Sequence, residues 1–160
     1  MTTPDTLDLE ARAHSEHAQE LRLWLRLLAC SQLIEKRVRT QLRERFDTTL
    51  PRFDLMAQLE RHPEGLKMKE LSQRLMVTGG NVTGITDQLV AEGLVERVGV
   101  EGDRRAFLVR LTPEGRETFE RMAIEHEQWI VQAFDGLSTK DLDSLYKLLG
   151  KLKQHQLDLE

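Results

Sequence analysis

Apolar residues recur at helical spacing through the first third of this chain. Between Ser15 and Phe46 there is no Pro or Gly, and apolar residues repeat every three or four positions, as on one face of an amphipathic helix. Leu50-Pro51 opens a second helix, because Pro is tolerated in a first turn, where its missing N–H has no helical partner to lose. The stretch from His62 to Gly65 ends that helix. The pattern therefore predicts a long helix over residues 15–46 and a shorter one from residue 50.

Two short helices follow with matched spacing. Apolar residues stand at i, i+3 and i+7 in each of two segments: Met68, Leu71 and Leu75, then Val82, Ile85 and Leu89. Each set predicts a short helix with one buried stripe. Residues 76–80 must turn sharply between the two helices, and Gly79-Gly80 allows backbone angles that other residues resist. Gly93 predicts the end of the second helix, so residues 67–93 form a helix-turn-helix pattern.

A β-hairpin follows the helix-turn-helix pattern. Residues 94–98 and 107–111 are runs with strand character, and Gly99 and Gly102 lie in the loop between them. Thr112 then caps a new helix with Pro113 at its first position. A hairpin with charged residues near its tip, placed after a helix-turn-helix, predicts a winged helix. The predicted fold class is mainly α with a small β-hairpin wing, and DNA is the leading partner.

The terminal segments have more apolar surface than this module can cover. The helix that begins at Thr112 stays apolar on one face to Phe134, and Ser138 begins a last helix with a stripe of leucines from Leu142 to Leu152. Unpaired apolar faces of this size predict a homodimer. We therefore divide the chain into a flexible arm at 1–14, a dimerisation helix at 15–46, a winged helix-turn-helix DNA-binding domain at 50–111, and C-terminal dimerisation helices at 112–160.

Composition agrees with one soluble domain and makes the distribution of charge important. The chain has 160 residues and a formal net charge of −4, which by itself disfavours binding to phosphates. Residues 66–111, however, contain seven basic and six acidic residues, so this region carries +1 and the remainder −5. A region 66–111 that is less acidic than the rest of the chain is compatible with salt-sensitive, specific DNA binding. No apolar run approaches the roughly 20 residues of a membrane span, and the polar start is unlike a signal peptide, so we expect a cytoplasmic protein.

The second short helix and the wing tip supply the predicted DNA contacts. Asn and Gln side chains pair with adenine, Thr packs against the thymine methyl group, and Arg suits narrow A·T-rich minor grooves or nearby phosphates. Backbone N–H groups at a helix start bind phosphate, although the two glycines there equally fit a purely structural turn. For the polar side chains, the alternative is a solvated helix face. The predicted contacts are Thr78, Gly79, Gly80, Asn81, Thr83, Gly84, Thr86, Asp87, Gln88, Arg104 and Arg105.

The wing region also carries a family signature. An Asp-x-Arg pattern followed by apolar-x-Leu-Thr-x-x-Gly is matched by Asp103, Arg105, Val109, Leu111, Thr112 and Gly115. Residues 77–83 are similar to the family's entry to the recognition helix. Over about residues 20–155 the chain thus resembles the MarR family of dimeric winged-helix transcriptional regulators. The resemblance implies that Asp103 organises the wing, and that Arg105 has either a structural role or a DNA contact.

One departure from the family pattern concerns the recognition helix. Many members have Arg at two positions where this chain has Gly84 and Gln88. Gly inside a helix costs about 1 kcal/mol relative to Ala, so Gly84 predicts a close approach of the backbone to DNA or to another helix. The family's base contacts are therefore not transferred to these two positions.

The resemblance further implies a small effector. In the family, aromatic or phenolic molecules bind between the long first helix, the second helix and the start of the helix after the wing. The corresponding residues here are Trp24, Leu28, Ser31, Phe53 and Met56, whose apolar character suits an aromatic ring. Residues 77–88 are similar to regulators of hydroxycinnamate and related aromatic-acid catabolism, some of which respond to a coenzyme A thioester. The predicted effector is a small aromatic acid or its acyl-CoA thioester.

A basic cluster on the first helix has two interpretations. Its members are Lys36, Arg37, Arg39, Arg43 and Arg45. The cluster either forms a solvated face or meets an anionic group, such as the nucleotide phosphates of an acyl-CoA effector or the DNA backbone. The leading prediction is a homodimeric repressor of a pseudo-palindromic operator, released by the effector.

Other chemistry receives little support from the sequence. The five histidines and Cys30 form no compact metal-ligand cluster, although His14 and His17 lie three apart. No arrangement typical of a catalytic site stands out, so no enzyme activity, metal or cofactor is expected. Cys30, near Leu27 and Leu28, predicts buried packing, and the alternative is a redox-sensing regulator that uses this thiol. A winged-helix module that binds a protein and not DNA is the other alternative.

Overall fold

The computed structural model describes residues 18–75 and 79–160. In chain order the elements are α1 (Ala18–Phe46), α2 (Leu50–Glu60), α3 (Met68–Leu75), α4 (Gly79–Ala91), β1 (Val95–Val100), β2 (Asp103–Leu111), α5 (Pro113–Ala133) and α6 (Thr139–Asp158). This mainly helical chain with a two-stranded hairpin confirms the predicted fold class. The predicted arm at 1–14, His14, His17 and Thr78 lie outside the described residues.

The chain divides into two compact units, one ending at Glu125 and the other beginning at His126. The core of the first unit is formed by the C-terminal end of α1, by α2 to α4, by the hairpin and by the start of α5. Its buried apolar residues are Val38, Leu42, Phe53, Leu55, Met56, Leu59, Leu66, Leu71, Val82, Leu89, Val95, Val109, Leu111, Phe119 and Met122. Burial of one such side chain contributes about 1.5–3 kcal/mol, so this cluster holds the helix-turn-helix and the wing together.

α2 begins as the sequence predicts. Thr49 is extended, with φ −114° and ψ 158°, and its hydroxyl accepts a hydrogen bond from the backbone N–H of Arg52 at 3.4 Å. Pro51 lies in the first turn. The helix then directs Phe53 into the core, where its ring centre lies 5.3 Å from that of Phe119 in α5.

The end of α4 is joined tightly to the beginning of α5. Gly93 has φ +74°, and the N–H of Leu94 donates to the carbonyl of Leu89 at 3.0 Å, a helix ending that requires a left-handed residue. The Thr112 hydroxyl accepts from the N–H of Gly115 at 3.0 Å and donates to the carbonyl of Gly93 at 2.7 Å. A Cβ on Gly115 would lie 1.8 Å from the carbonyl oxygen of Leu94. The Leu-Thr-x-x-Gly pattern is therefore a packing requirement of this junction.

The wing is a hairpin with an additional strand-like contact. β1 and β2 pair antiparallel, with Val95 opposite Leu111, and the register shifts after Gly99. Leu66 forms a bridge with Val109 of β2, with N–H···O distances of 2.9 and 2.8 Å. The helix-ending residues His62 to Gly65 give no local signal for this bridge, because its partner Val109 lies 43 positions after Leu66. The bridge attaches the start of α3 to the wing.

Large apolar side chains remain exposed on both terminal helices. The N-terminal half of α1 exposes 63% of Leu23 and 54% of Trp24. α6 begins at its predicted cap, where the Ser138 hydroxyl accepts from the N–H of Asp141 at 3.1 Å, and none of its residues is buried in the described chain. The predicted surplus of apolar surface is therefore present. Among the described helices, none combines the length and apolar character that a membrane span requires.

Candidate nucleic-acid interface

The buried side of α4 differs from the predicted stripe. Val82, Thr86 and Leu89 are fully buried, whereas Ile85 is only half-buried. The Thr86 hydroxyl donates to the carbonyl of Val82 at 2.7 Å, so its polar group is satisfied inside the core. Spacings of three and four residues both fit one helix face, and apolar character alone favours Ile85 over Thr86. The prediction that Thr86 contacts DNA is wrong, because a fully buried side chain cannot reach a base.

The opposite side of α4 presents polar residues to solvent. Asn81, Thr83, Gly84, Asp87 and Gln88 are all exposed. An added Cβ at Gly84 would meet no heavy atom of the described residues within 4 Å. The close approach predicted at Gly84 is therefore not made to another of the described helices. A close approach to DNA at this position stays a prediction.

Two residues of the turn predicted at 76–80 belong to α4 instead. α4 begins at Gly79, so Gly79 and Gly80 lie in its first turn. The N–H groups of a first turn have no acceptor within the helix. The predicted phosphate contact depends on that property, and it stays a prediction.

Arg52 connects α2 to the exposed face of α4. Its guanidinium forms an ion pair with Glu92 and donates to the hydroxyl of Thr48 at 3.1 Å and to Oε1 of Gln88 at 3.4 Å. Only 16% of the Arg52 side chain is exposed. Arg52 is not among the site residues predicted from the sequence, because an Arg in a first turn has the pattern of a solvated residue. Its partners Gln88 and Glu92 lie 36 and 40 positions away, beyond any local pattern.

Arg97 connects α4 to the wing. It forms an ion pair with Asp87, and its Cζ lies 5.8 Å from the centre of the Phe107 ring. Asp87, which the sequence analysis assigns to DNA, thus has a partner within the chain, although 60% of its side chain remains exposed. The ion pair gives Asp87 a role in holding the wing against α4, and its contact with DNA stays a prediction.

The wing tip contains the contact that the family resemblance implies for Asp103. Its Oδ1 accepts a hydrogen bond from the backbone N–H of Arg105 at 3.0 Å, next to Gly102 with φ +85°. Arg104 and Arg105 are exposed, and the structure pairs neither guanidinium with a carboxylate of the described residues. Arg110, lower on the same strand, is instead paired with a carboxylate at 2.7 Å. The tip of the hairpin therefore presents two guanidinium groups and two carboxylates to solvent.

The five predicted effector residues lie in two environments. Phe53 and Met56 are buried in the core, with 5% and 1% exposure. Trp24 is exposed, Leu28 is half-buried, and Ser31 is exposed with its hydroxyl donating to the backbone four residues before it at 2.9 Å. In this conformation Phe53 and Met56 are inaccessible to a ligand. Binding by the predicted set would require this part of the core to open.

Cys30 is exposed on α1, so the prediction of buried packing is wrong for the single chain. Leu27 and Leu28 beside it are half-buried, and Leu33 is 49% exposed. The buried residues of α1, Val38 and Leu42, both lie in its C-terminal half. Among the described residues, no group of three His, Cys, Asp or Glu side chains is placed to hold a metal ion.

Part of the basic cluster lies next to α4. Arg39, which forms an ion pair with Glu35 at 2.9 Å, and Arg43 line an open cleft of about 560 Å³. The cleft continues along the start of α2 to Asn81 and Gln88 of α4. Positive charge from α1 is thus placed beside the exposed face of α4.

Asp54 of α2 lies close enough to Glu35 and Arg39 of α1 to feel their charges. Burial raises the pKa of its carboxyl above the ordinary 3.8, the charge of Glu35 raises the pKa further, and the charge of Arg39 lowers it. Asp54 therefore binds a proton more readily in the folded protein than in the unfolded chain.

The chain is similar in sequence and in structure to known regulators. The family model described as the MarR family matches residues 46–106. The HTH-type transcriptional regulator YhbI of Bacillus subtilis, itself uncharacterized, is 30% identical over 119 residues, which cover 74% of this chain and 76% of that protein. The crystal structure of a MarR family transcriptional regulator from Silicibacter pomeroyi matches with a TM-score of 0.75 and 31% identity, covering 89% of this chain and 99% of that one. The crystal structure of Streptococcus pneumoniae FabT in complex with DNA matches with a TM-score of 0.73 and 28% identity, covering 87% and 98%.

The similarity extends over the whole length of some relatives and over part of others. The chain spans 60% and 63% of the lengths of two other curated relatives, both HTH-type transcriptional regulators. YhbI and the Silicibacter pomeroyi protein are matched over most of their length at 30% identity or more. Both of these relatives are transcriptional regulators by name. The chain therefore belongs to the MarR family of winged helix-turn-helix transcriptional regulators.

Proposed function

We propose that the protein is a homodimeric transcriptional repressor that places two α4 helices in successive major grooves of a pseudo-palindromic operator. The observation that carries this proposal is the exposed polar face of α4 together with the exposed arginines of the wing tip. Asn81 and Gln88 would read base edges, and Arg104 and Arg105 would reach the minor groove or flanking phosphates. The DNA-bound crystal structure of FabT, 28% identical to this chain, supports DNA as the partner.

The exposed apolar faces of the terminal helices support a homodimer. Leu23 and Trp24 on α1 and Leu148 on α6 are each more than half exposed, and burial of apolar surface contributes about 25 cal/mol per Å². We assign residues 15–46 and 112–160 to dimerisation and residues 50–111 to DNA binding. A dimer of this kind would meet half-sites about one helical turn apart.

The proposed effector is a small aromatic acid or its acyl-CoA thioester. Its site would be formed by Trp24, Leu28 and Ser31 of α1 and by Phe53 and Met56 of α2. Because Phe53 and Met56 are buried, the core around them would have to open first. Effector binding would favour a dimer whose recognition helices no longer match the half-site spacing. A ligand shifts such an equilibrium only by its difference in affinity for the two states, so the open state must be the one that binds the effector.

Footprinting on the DNA that flanks the protein's own gene tests this function. We expect protection of two half-sites about one turn apart, released by one member of a panel of aromatic acids and their coenzyme A thioesters. Absence of protection at low salt would favour the alternative of a winged-helix module that binds a protein.

The wing contact has its own test. Arg104→Ala should weaken binding on all sequences and reduce the slope of log K against log salt by about 1, because one phosphate contact is lost. Arg121→Ala is the matched control, since Arg121 is an exposed Arg of α5 that donates to Thr118. Equal slopes for Arg104→Ala and wild type would contradict the assignment of Arg104.

The exposure of Cys30 supports a second candidate, a redox-sensing regulator. Peroxide would then abolish operator binding by the wild type and leave Cys30→Ser unaffected. Equal responses of the two proteins would exclude this candidate.

A further inference from the structure

The side chain of Gln88 has its orientation set by Arg52. The guanidinium is held on two sides, by the ion pair with Glu92 and by the hydrogen bond of 3.1 Å to the Thr48 hydroxyl. From this position it donates to Oε1 of Gln88 at 3.4 Å. A guanidinium has only donors, so the amide oxygen of Gln88, and not its NH2 group, must face Arg52. The NH2 group of Gln88 is thereby turned away from α2.

This orientation changes what Gln88 offers to a base. A Gln that pairs bidentately with adenine accepts from N6 and donates to N7, so its oxygen and its NH2 group must both face the same base edge. In this structure the oxygen is directed to Arg52, and a further donor that approached it would also approach a cation. The NH2 group is left as a hydrogen-bond donor. Guanine presents two acceptors at its major-groove edge, N7 and O6, and no donor.

We propose that Arg52 is a specificity-determining residue, which positions Gln88 as a donor and thereby selects guanine over adenine at the base pair that Gln88 meets. The inference rests on the proposed function, because it requires α4 to lie in the major groove. It also revises the prediction from the sequence that a Gln on this face pairs with adenine. Arg52 acts through Gln88 and need not touch DNA.

The test is selection of bound sequences from a library with a randomised half-site. Wild type is compared with Gln88→Ala, Arg52→Ala and Arg52→Met, the last of which keeps apolar bulk while removing every donor. Gln88→Ala should flatten the preference at one base pair and so identify the position. At that position wild type should select guanine, and both Arg52 variants should shift the guanine-to-adenine ratio toward adenine by about 10-fold. Preferences at the remaining positions should be unchanged.

Arg43→Ala is the matched control. Arg43 lines the same cleft as Arg52 and carries the same charge. Within the described part of the chain, its side chain forms no hydrogen bond to Gln88. This variant should weaken binding through lost positive charge and leave the base preference intact. Thermal unfolding of each variant confirms that a folded protein was used.

Different outcomes separate the inference from the function on which it rests. A wild type that selects no sequence overturns the proposed function and the inference with it. A wild type that selects a sequence supports the function. In that case the inference is overturned if Gln88→Ala flattens no position, or if both Arg52 variants keep the wild-type preference.

Discussion

Gly115→Ala would place a methyl group where the junction between α4 and α5 leaves no space. The new Cβ would lie 1.8 Å from the carbonyl oxygen of Leu94, 2.7 Å from its carbonyl carbon and 3.1 Å from its Cα. Favourable contacts between carbon atoms lie at about 3.5–4.0 Å. All three atoms belong to the backbone, which cannot rotate aside as a flexible side chain does. The first turn of α5 must therefore move away from Leu94 by roughly 1–2 Å.

The magnitude follows from the contacts that this movement disturbs. The Thr112 hydroxyl makes two hydrogen bonds across the junction, to Gly93 and from Gly115, and each contributes about 0.5–1.5 kcal/mol. Overpacking adds a further destabilisation of about 1–3 kcal/mol. Ala is favoured over Gly within a helix by up to about 1 kcal/mol, which offsets part of the loss. We expect the free energy of unfolding to fall by about 3 kcal/mol.

Urea unfolding followed by circular dichroism measures this change, at one protein concentration because dimerisation would stabilise the folded state. Gly84→Ala is the matched control, since no described heavy atom lies within 4 Å of its added Cβ. The control should gain about 0.5–1 kcal/mol, because Ala is the better helix former. If Gly115→Ala unfolds within about 0.5 kcal/mol of wild type, the reasoning about close contact is refuted.

Three further substitutions test the interface and the charge environment. Gly84→Ala should weaken operator binding on the order of 10-fold while raising stability; unchanged binding would show that DNA does not approach Gly84 closely. Thr86→Val should leave operator affinity within about twofold and stability within about 1 kcal/mol, and a selective loss of affinity would restore Thr86 as a DNA contact. The pKa of Asp54 is higher in the folded protein than the ordinary 3.8, so between these two pKa values the folded protein binds more protons than the unfolded chain. The free energy of unfolding therefore falls as the pH rises through this range. Asp54→Asn should therefore raise the free energy of unfolding at neutral pH, by less than about 1 kcal/mol for a partly exposed group, and the gain should vanish below about pH 3; equal gains at both pH values would contradict this.

Helix ends are predictable from the sequence because their contacts are local. The hydroxyl groups of Thr49, Thr112 and Ser138 each accept a hydrogen bond from an N–H three residues later. Gly93 ends α4 for the same kind of reason, since its positive φ depends on neighbours within five residues. The order of elements and the winged-helix architecture follow from these signals together with apolar spacing.

The contacts of the candidate site are less predictable, because they join distant segments or depend on a choice between adjacent residues. Arg52 reaches Gln88 across 36 positions, and no local pattern distinguishes it from a solvated Arg. Ile85 and Thr86 both fit the buried face of α4, and only the packed structure shows that the Thr takes the deeper position. The exposure of Cys30 likewise depends on what packs against α1, which apolar spacing within one helix does not specify.

The open surroundings of Gly84 bear on how this regulator could acquire a new target. Asn81 and Gly84 face solvent, so mutations at these two positions would alter the proposed DNA-binding surface with little disturbance of the core. Asp87 and Gln88, one turn later, contact the wing and α2, and mutations there would alter these contacts and the proposed DNA-binding surface together. The N-terminal half of the recognition helix is thus the evolvable half, where divergence after gene duplication could change operator preference one substitution at a time.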